Sequence, residues 1–178
     1  PATEMRDITV GIVGLGSIGR AVASRALGFG SRVVATRRTD ERPEEADLAG
    51  IERILRPDQL PELLADSDMV VLTLPLTRDT ANLMNAPMLA RMRPGSWLIN
   101  VARGGLVDER ALTAALRNGP MAGAALDAFK DEPLPQDSPL YGLPNLIITP
   151  HTSWTSGRRA GSGSRWAATT CPPAASPW

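Results

Sequence analysis

The chain has 178 residues, and its 19 lysines and arginines balance 19 aspartates and glutamates to a formal net charge of zero. That length suits one domain with a real core, and the balance removes the basic excess that would point to nucleic acid or an anionic membrane surface. Cys171 is the single cysteine, which excludes an intramolecular disulfide and a cysteine-rich metal centre, so no metal is expected.

Pro1–Asp7 carries no apolar signal core and no later run is long enough to span a bilayer, so a cytoplasmic domain is expected. Ile8–Val13 is a short, β-branched apolar run that suits a strand buried on both faces. A helix follows, with Ile18, Val22 and Ala26 at i, i+4 spacing and Gly28 and Gly30 near its end. Arg32–Thr36 predicts a second strand. The acidic stretch Asp40–Asp47 reads as a solvated loop, Ile51–Leu55 as a weak third strand and Pro57–Ala65 as a short helix. Asp68–Leu74 is a strong strand ended by Pro75. Ala86–Met92 is helical, and its Met84, Met88, Met92 stripe suits a core better than a ligand site. Ser96–Val101 is a strand. Asp108 fits the N-cap of a helix running through Arg117 and ended by Asn118 and Gly119. Met121–Leu126 and Leu146–Thr149 complete the strands. Strands alternating with helices imply right-handed βαβ units and a parallel sheet. Residues 1–156 are read as this one domain. Residues 157–178 are rich in Gly, Ser, Ala, Pro and Arg, show neither helical nor strand period, and read as an irregular tail without a fold of its own.

Gly14-Leu15-Gly16-Ser17-Ile18-Gly19 lies between a predicted strand and a predicted helix, the context a dinucleotide fingerprint requires. The first glycine permits the tight turn, the second lets backbone approach a pyrophosphate, and the third lets helix pack on strand. Free N–H groups and the dipole at the helix start, around Ser17 and Ile18, favour the anion. The bland alternative is a glycine-rich turn without a ligand. With this loop the fold class becomes α/β, a Rossmann doubly wound parallel sheet forming a single nucleotide-binding domain. At the end of the second strand an NAD-specific domain usually carries Asp or Glu; here the residues are Arg37 and Arg38. A carboxylate would repel a 2′-phosphate, whereas arginine can hold one by charge-assisted bonds. NADP is therefore favoured over NAD. The alternative is that both arginines are solvated or paired with Asp40, Glu41 or Glu44.

Three polar residues follow the carboxyl ends of predicted strands: Arg103 after Ser96–Val101, Glu132 after Met121–Leu126, and His151 after Leu146–Thr149. Ligands of open parallel sheets bind outside those ends, so a cation, a carboxylate and an imidazole should converge on the edge that holds the glycine loop. His151 is the only histidine, and imidazole alone has an unperturbed pKa suited to proton transfer near neutrality. Each has a bland alternative. Arg103 could be a surface cation beside Asp108, Glu132 a solvated acid in an acidic loop, and His151 a structural histidine.

On these motifs taken together, from about Asp7 to Ser153, the chain resembles the nucleotide-binding domain of the D-isomer-specific 2-hydroxyacid dehydrogenases. The landmarks are Gly14–Gly19, Leu74–Thr77 with Thr80, Asn100–Asp108, Leu126–Phe129, Glu132-Pro133 and Pro150-His151. The Arg37-Arg38 pair and the stretch from Pro150 to Trp154 are most similar to the glyoxylate/hydroxypyruvate reductases, which often prefer NADPH. The resemblance implies hydride transfer between NAD(P)H and a small 2-keto or 2-hydroxy acid. His151 would be the general acid, and Glu132 would orient its ring and favour the imidazolium form. Pro133 would bias Glu132 towards an extended backbone. Arg103 would bind the substrate carboxylate, with Gly104 and Gly105 leaving room for it. Asp127 would contact the nicotinamide end, and Leu74, Pro75, Val101 and Ala102 would line the cofactor, which also approaches Arg103 and His151. Formate dehydrogenases of similar fold carry Gln where Glu132 stands, which argues against formate oxidation. Dimers in the family form largely through this domain, so a homodimer is a further expectation.

Two departures from the family pattern shape the functional alternatives. Only seven residues precede the first strand, where family members carry most of a substrate-binding domain, and the residues from Gly157 onward do not resemble the amphipathic helix expected there. The expectation is a truncated or separately expressed domain with a non-native tail. Three functions stay open: an NADP(H)-dependent 2-keto acid reductase represented by its cofactor domain, a cofactor-binding fragment without turnover, and a nucleotide-sensing corepressor-like binding protein.

Overall fold

The structure, a computed structural model, describes residues 4–38 and 49–151. Its strands are β1 (Thr9–Val13), β2 (Arg32–Thr36), β3 (Arg53–Leu55), β4 (Met69–Leu72), β5 (Trp97–Asn100), β6 (Gly123–Leu126) and β7 (Leu146–Ile148). The helices are α1 (Ser17–Gly28), α2 (Leu60–Asp66), α3 (Ala86–Leu89) and α4 (Glu109–Asn118). All strand pairs are parallel, in the order β3-β2-β1-β4-β5-β6-β7. This is the doubly wound Rossmann sheet expected from the alternation. The chain runs from β1 outward to β3, returns to β4 beside β1, and then runs outward the other way. The reversal leaves a crevice at the carboxyl ends of β1 and β4, where such sheets bind ligands.

Side-chain alternation along the strands builds two cores. Val10 and Ile12 of β1, Val33 and Ala35 of β2 and Val71 of β4 pack with Ala23 and Ala26 of α1. Val13, Val34, Val70, Leu72 and Leu98 pack on the other side with α2 and α4 through Leu60, Leu63, Leu64, Leu112 and Leu116. α2 comes so close to β1 that a Cβ at Gly11 would stand 2.7 Å from Cδ2 of Leu63. The methionine stripe behaves as core: Met84 and Met92 are buried and Met88 packs against them.

Of the i, i+4 set expected on the buried face of α1, Ala26 is buried and Val22 packs against the core, but Ile18 is not. Gly19, Ala23 and Ala26 face the sheet, while Ile18 is 55% exposed. The reason is proximity. A Cβ on Gly19 would run into the carbonyl oxygen of Gly14 and stand 3.0 Å from Thr73 Oγ1, so only the small-residue face of the helix can sit this close. α4 follows its prediction. The Asp108 carboxylate accepts the Ala111 N–H at 3.0 Å as the N-cap, and the helix ends at Asn118 with the Gly119 N–H on the Ala115 carbonyl.

The amino edge of the sheet carries a compensated ionic cluster. Arg32 donates to Glu52 at 2.6 Å and to Asp66 at 2.9 Å, and Arg53 reaches Glu62 at 3.1 Å. The Arg32 hydrogen bonds hold both the Glu52 and Asp66 carboxyls below the ordinary carboxylate value. The acidic stretch Asp40–Asp47 and the 157–178 tail lie outside the described residues. Among the described residues, no helix is long and apolar enough to cross a membrane.

Candidate cofactor and proton-transfer site

The glycine loop turns directly off the end of β1. Gly14 has φ +100, a region that L side chains rarely adopt, and a Cβ there would come within 2.7–2.9 Å of Leu74. Two threonines pin the turn. Thr36 Oγ1 accepts the Gly14 N–H at 3.2 Å, and Thr73 Oγ1 donates to the Gly14 carbonyl at 2.6 Å. Neither threonine was singled out by sequence reasoning. A hydroxyl at the last position of one strand and just beyond another is the signal that could have found them.

Gly16 is a different case. Its φ of −86 is open to any residue, and a Cβ built on it meets nothing within 4 Å. The described residues impose no glycine here; the open space lies over the start of α1. Among the described residues no side chain caps that start, and Ser17 and Ile18 are exposed. The site therefore presents uncapped N–H groups beside a backbone without a side chain, which is what a pyrophosphate needs. One strand further out, the Arg37 N–H is tied to the Leu55 carbonyl at 2.9 Å, which fixes Arg37 at the end of β2; Arg38 beside it is exposed.

On the other side of the crevice, β5 ends in Asn100, a buried polar residue at 0% exposure. Its Oδ1 accepts the Ala102 N–H at 3.0 Å and its Nδ2 donates to the Arg103 carbonyl at 2.9 Å. That clamp bends Val101–Arg103 away from the sheet and leaves Arg103 exposed, with Nη1 donating to the Ala102 carbonyl at 2.7 Å. Ala102 itself is buried and Val101 half-buried, Leu74 is half-buried and Pro75 exposed. Gly104 is not open space. A Cβ there would overlap the Phe129–Lys130 peptide, so this glycine serves close packing of two loops rather than room for a substrate. A Cβ on Gly105 would stand 2.8 Å from Leu76 Cδ2.

β6 and β7 deliver the remaining groups. Asp127 is buried at 5%, and its carboxylate accepts the hydroxyl of Thr149. Glu132 Oε1 accepts the Phe129 N–H at 3.0 Å, and Oε2 lies 2.8 Å from His151 Nδ1. The Glu132–Pro133 peptide is cis. His151 sits at φ +51, in the left-handed region that a few non-glycine residues adopt, and its N–H bonds to the Thr149 carbonyl at 3.0 Å. Burial works to raise the Glu132 pKa. It is outweighed by the hydrogen bonds from His151 and Phe129 and by the charges of His151 and Arg103, so the carboxyl is held below its ordinary value. An ionised carboxylate only accepts hydrogen bonds. Nδ1 of His151 therefore carries a proton toward Glu132, and Nε2 is the nitrogen left to exchange one. The geometry joins Glu132 with His151, and Arg103 acts on Glu132 through its charge.

The family described as D-isomer specific 2-hydroxyacid dehydrogenase, NAD binding domain, matches residues 1–153. Glyoxylate/hydroxypyruvate reductase B of Pectobacterium carotovorum subsp. carotovorum is 45% identical over 150 residues, covering 84% of this chain and 45% of that protein. The (S)-sulfolactate dehydrogenase of Chromohalobacter salexigens is 45% identical over 148 residues, covering 83% of this chain and 47% of that protein. A D-isomer specific 2-hydroxyacid dehydrogenase from Xanthobacter autotrophicus Py2, solved in complex with NADPH and MES, superposes with a TM-score of 0.77 at 43% identity, covering 85% of this chain and 46% of that one. The chain spans about half the length of the curated relatives it matches. It belongs to the D-isomer specific 2-hydroxyacid dehydrogenase family, of which it carries the NAD-binding domain.

Proposed function

We propose that this chain is the nucleotide-binding domain of an NADPH-dependent reductase of small 2-keto acids such as glyoxylate or hydroxypyruvate. The reading is carried by the 2.8 Å Glu132–His151 hydrogen bond, on the same sheet edge as the open glycine loop. The order of strands along that edge supports it. Arg37 and Arg38 at the end of β2 would hold the 2′-phosphate. Gly14, Gly16, Ser17, Ile18 and Gly19 at the end of β1 would cradle the pyrophosphate. Leu74 and Pro75 beyond β4, and Val101, Ala102 and Arg103 beyond β5, would line the path to the nicotinamide end near Asp127 and His151. From β2 to β6 this is four strand spacings, roughly 19 Å, a span for an extended dinucleotide.

When bound, the cofactor supplies the hydride. The chain's own part is the proton and the orientation. Arg103 would pair with the substrate carboxylate as a charge-assisted fork. His151 Nε2 would deliver a proton to the carbonyl oxygen as the carbon is reduced, and in the reverse direction take it from the hydroxyl. Glu132 would hold the ring in the orientation that presents Nε2. The NADPH-bound relative and the reductase named for both keto acids favour this cofactor and substrate class.

The test is a titration with NADPH and NADH, followed by glyoxylate or hydroxypyruvate in the same cuvette. Tighter binding of NADPH and its oxidation on adding the keto acid are expected. Equal binding of the two cofactors would overturn the 2′-phosphate role of Arg37 and Arg38, and binding without oxidation would leave a cofactor-binding module in place of a reductase.

A further inference from the structure

Glu109 opens α4 and stands outside the cluster described above, yet its Oε1 accepts the Lys130 N–H at 2.8 Å. The same peptide rests on Gly104, where a Cβ would overlap the Phe129 carbonyl and the Lys130 nitrogen. The Phe129 side chain is anchored in the core, 7% exposed. Peptide planarity leaves only φ and ψ of Phe129 between this clamped peptide and the Phe129 N–H. That N–H donates to Glu132 Oε1 at 3.0 Å, which turns Oε2 toward His151 Nδ1.

We propose that Glu109 is a positioning residue for the Glu132–His151 pair, acting through the Phe129–Lys130 peptide that it clamps against Gly104. The proposal rests on the reading of Glu132 and His151 as the proton-handling pair. Its logic is geometric: a glutamate carboxylate, carried on three rotatable bonds, points one oxygen at the imidazole only while the other is held. Releasing the Lys130 N–H lets the 129–130 turn rotate, loosens the Phe129 N–H from Oε1, and leaves Oε2 unaimed. His151 then loses the partner that keeps its neutral ring in the Nδ1–H form.

The test needs no turnover, because His151 is the chain's only histidine and its ring nitrogens give unambiguous signals. Glu109→Ala, Glu109→Gln and Gly104→Ala are compared with the parent chain by nitrogen-15 NMR, with thermal melts as the folding control. The parent should show the Nδ1–H tautomer and a Phe129 amide proton shifted downfield by the carboxylate. Glu109→Ala should move that amide upfield and mix in the Nε2–H tautomer. Glu109→Gln, which keeps an accepting oxygen, should match the parent. Gly104→Ala should resemble Glu109→Ala; if it does not fold, Glu109→Ala decides alone. A Glu109→Ala chain with the parent's tautomer and Phe129 shift would overturn the proposal, as would a Glu109→Gln chain that behaves like Glu109→Ala. A parent chain that does not oxidise NADPH would count against the reductase reading and leave this positioning result standing.

Discussion

The amide of Asn100 donates to the Arg103 carbonyl at 2.9 Å while its own oxygen accepts the Ala102 N–H. One buried side chain thus replaces the strand partners that the chain loses on leaving β5. Asn100→Ala would strand both backbone groups, at a cost of about 1–3 kcal/mol. Urea unfolding should show that loss, and the KM for the keto acid should rise because the Arg103 turn is no longer held. An unchanged KM in a folded Asn100→Ala chain would show that Arg103 is placed by something else.

Gly14 and Gly16 should part company when each is changed to alanine. Gly14 needs its glycine for φ +100 and for the approach of Leu74, so Gly14→Ala should destabilise the fold by about 1–3 kcal/mol. Gly16 has ordinary φ and open surroundings, so Gly16→Ala should leave stability within about 0.5 kcal/mol. Its effect should fall on cofactor affinity, with a loss on the order of 10-fold, about 1.4 kcal/mol. Thermal melts with and without NADPH separate the two effects. A Gly16→Ala chain that binds NADPH as tightly as the parent would remove the pyrophosphate from this loop.

The Glu132 carboxyl titrates below its ordinary value in the folded chain, so the unfolded chain takes up its proton first as pH falls. Its stabilising contribution is complete above about pH 4.3, the ordinary glutamate value, and is lost as pH drops through the lower folded value. Both side chains are about one-third exposed, 36% for Glu132 and 32% for His151, which limits the effect to about 1 kcal/mol. Glu132→Gln should be slightly less stable at neutral pH and should lose less stability on acidification. Unfolding free energies measured from pH 6 down to pH 3 give the comparison; parallel curves for the two chains would contradict it. On the turnover side, His151→Gln should lower keto acid reduction by about 10²–10⁴-fold.

Arg37→Ala should weaken NADPH binding about 10-fold or more, the loss of one charge-assisted bond of roughly 1.5–3 kcal/mol, and leave NADH binding unchanged. Fluorescence titration with each cofactor reads this directly. A parallel loss for both cofactors would assign Arg37 to the fold rather than to the 2′-phosphate.

The seven strands of the described residues, and the positions of Arg103, Glu132 and His151 beyond strand ends, were legible from hydrophobic runs and the polar residues that follow them. What escaped was packing distance. Periodicity placed Ile18 on the buried face of α1, but in its first turn the helix lies too close to Gly14 and Thr73 for anything larger than Gly19 to face inward. Gly104 was read as room for a substrate; it is the contact point of two loops that are 25 residues apart in sequence and share no pattern. Thr36, Thr73 and Glu109 escaped for a related reason. Each acts through hydrogen bonding to distant backbone, and no periodicity marks such a bond.

The parallel ladder does not stop where the strands do. The Thr73 N–H bonds to Val13, the Leu15 N–H to Thr36, the Arg37 N–H to Leu55, the Asp127 N–H to Asn100 and the Thr149 N–H to Leu126, all at 2.9–3.0 Å. The first residues of nearly every site loop are thus rungs of the sheet. Their amides should exchange with solvent only when the sheet itself opens, in the slowest class of the protein. Heat or denaturant would then dismantle the cofactor loop, the arginine turn and the histidine turn in a single cooperative step, and no partly unfolded form would keep one of them and lose the others.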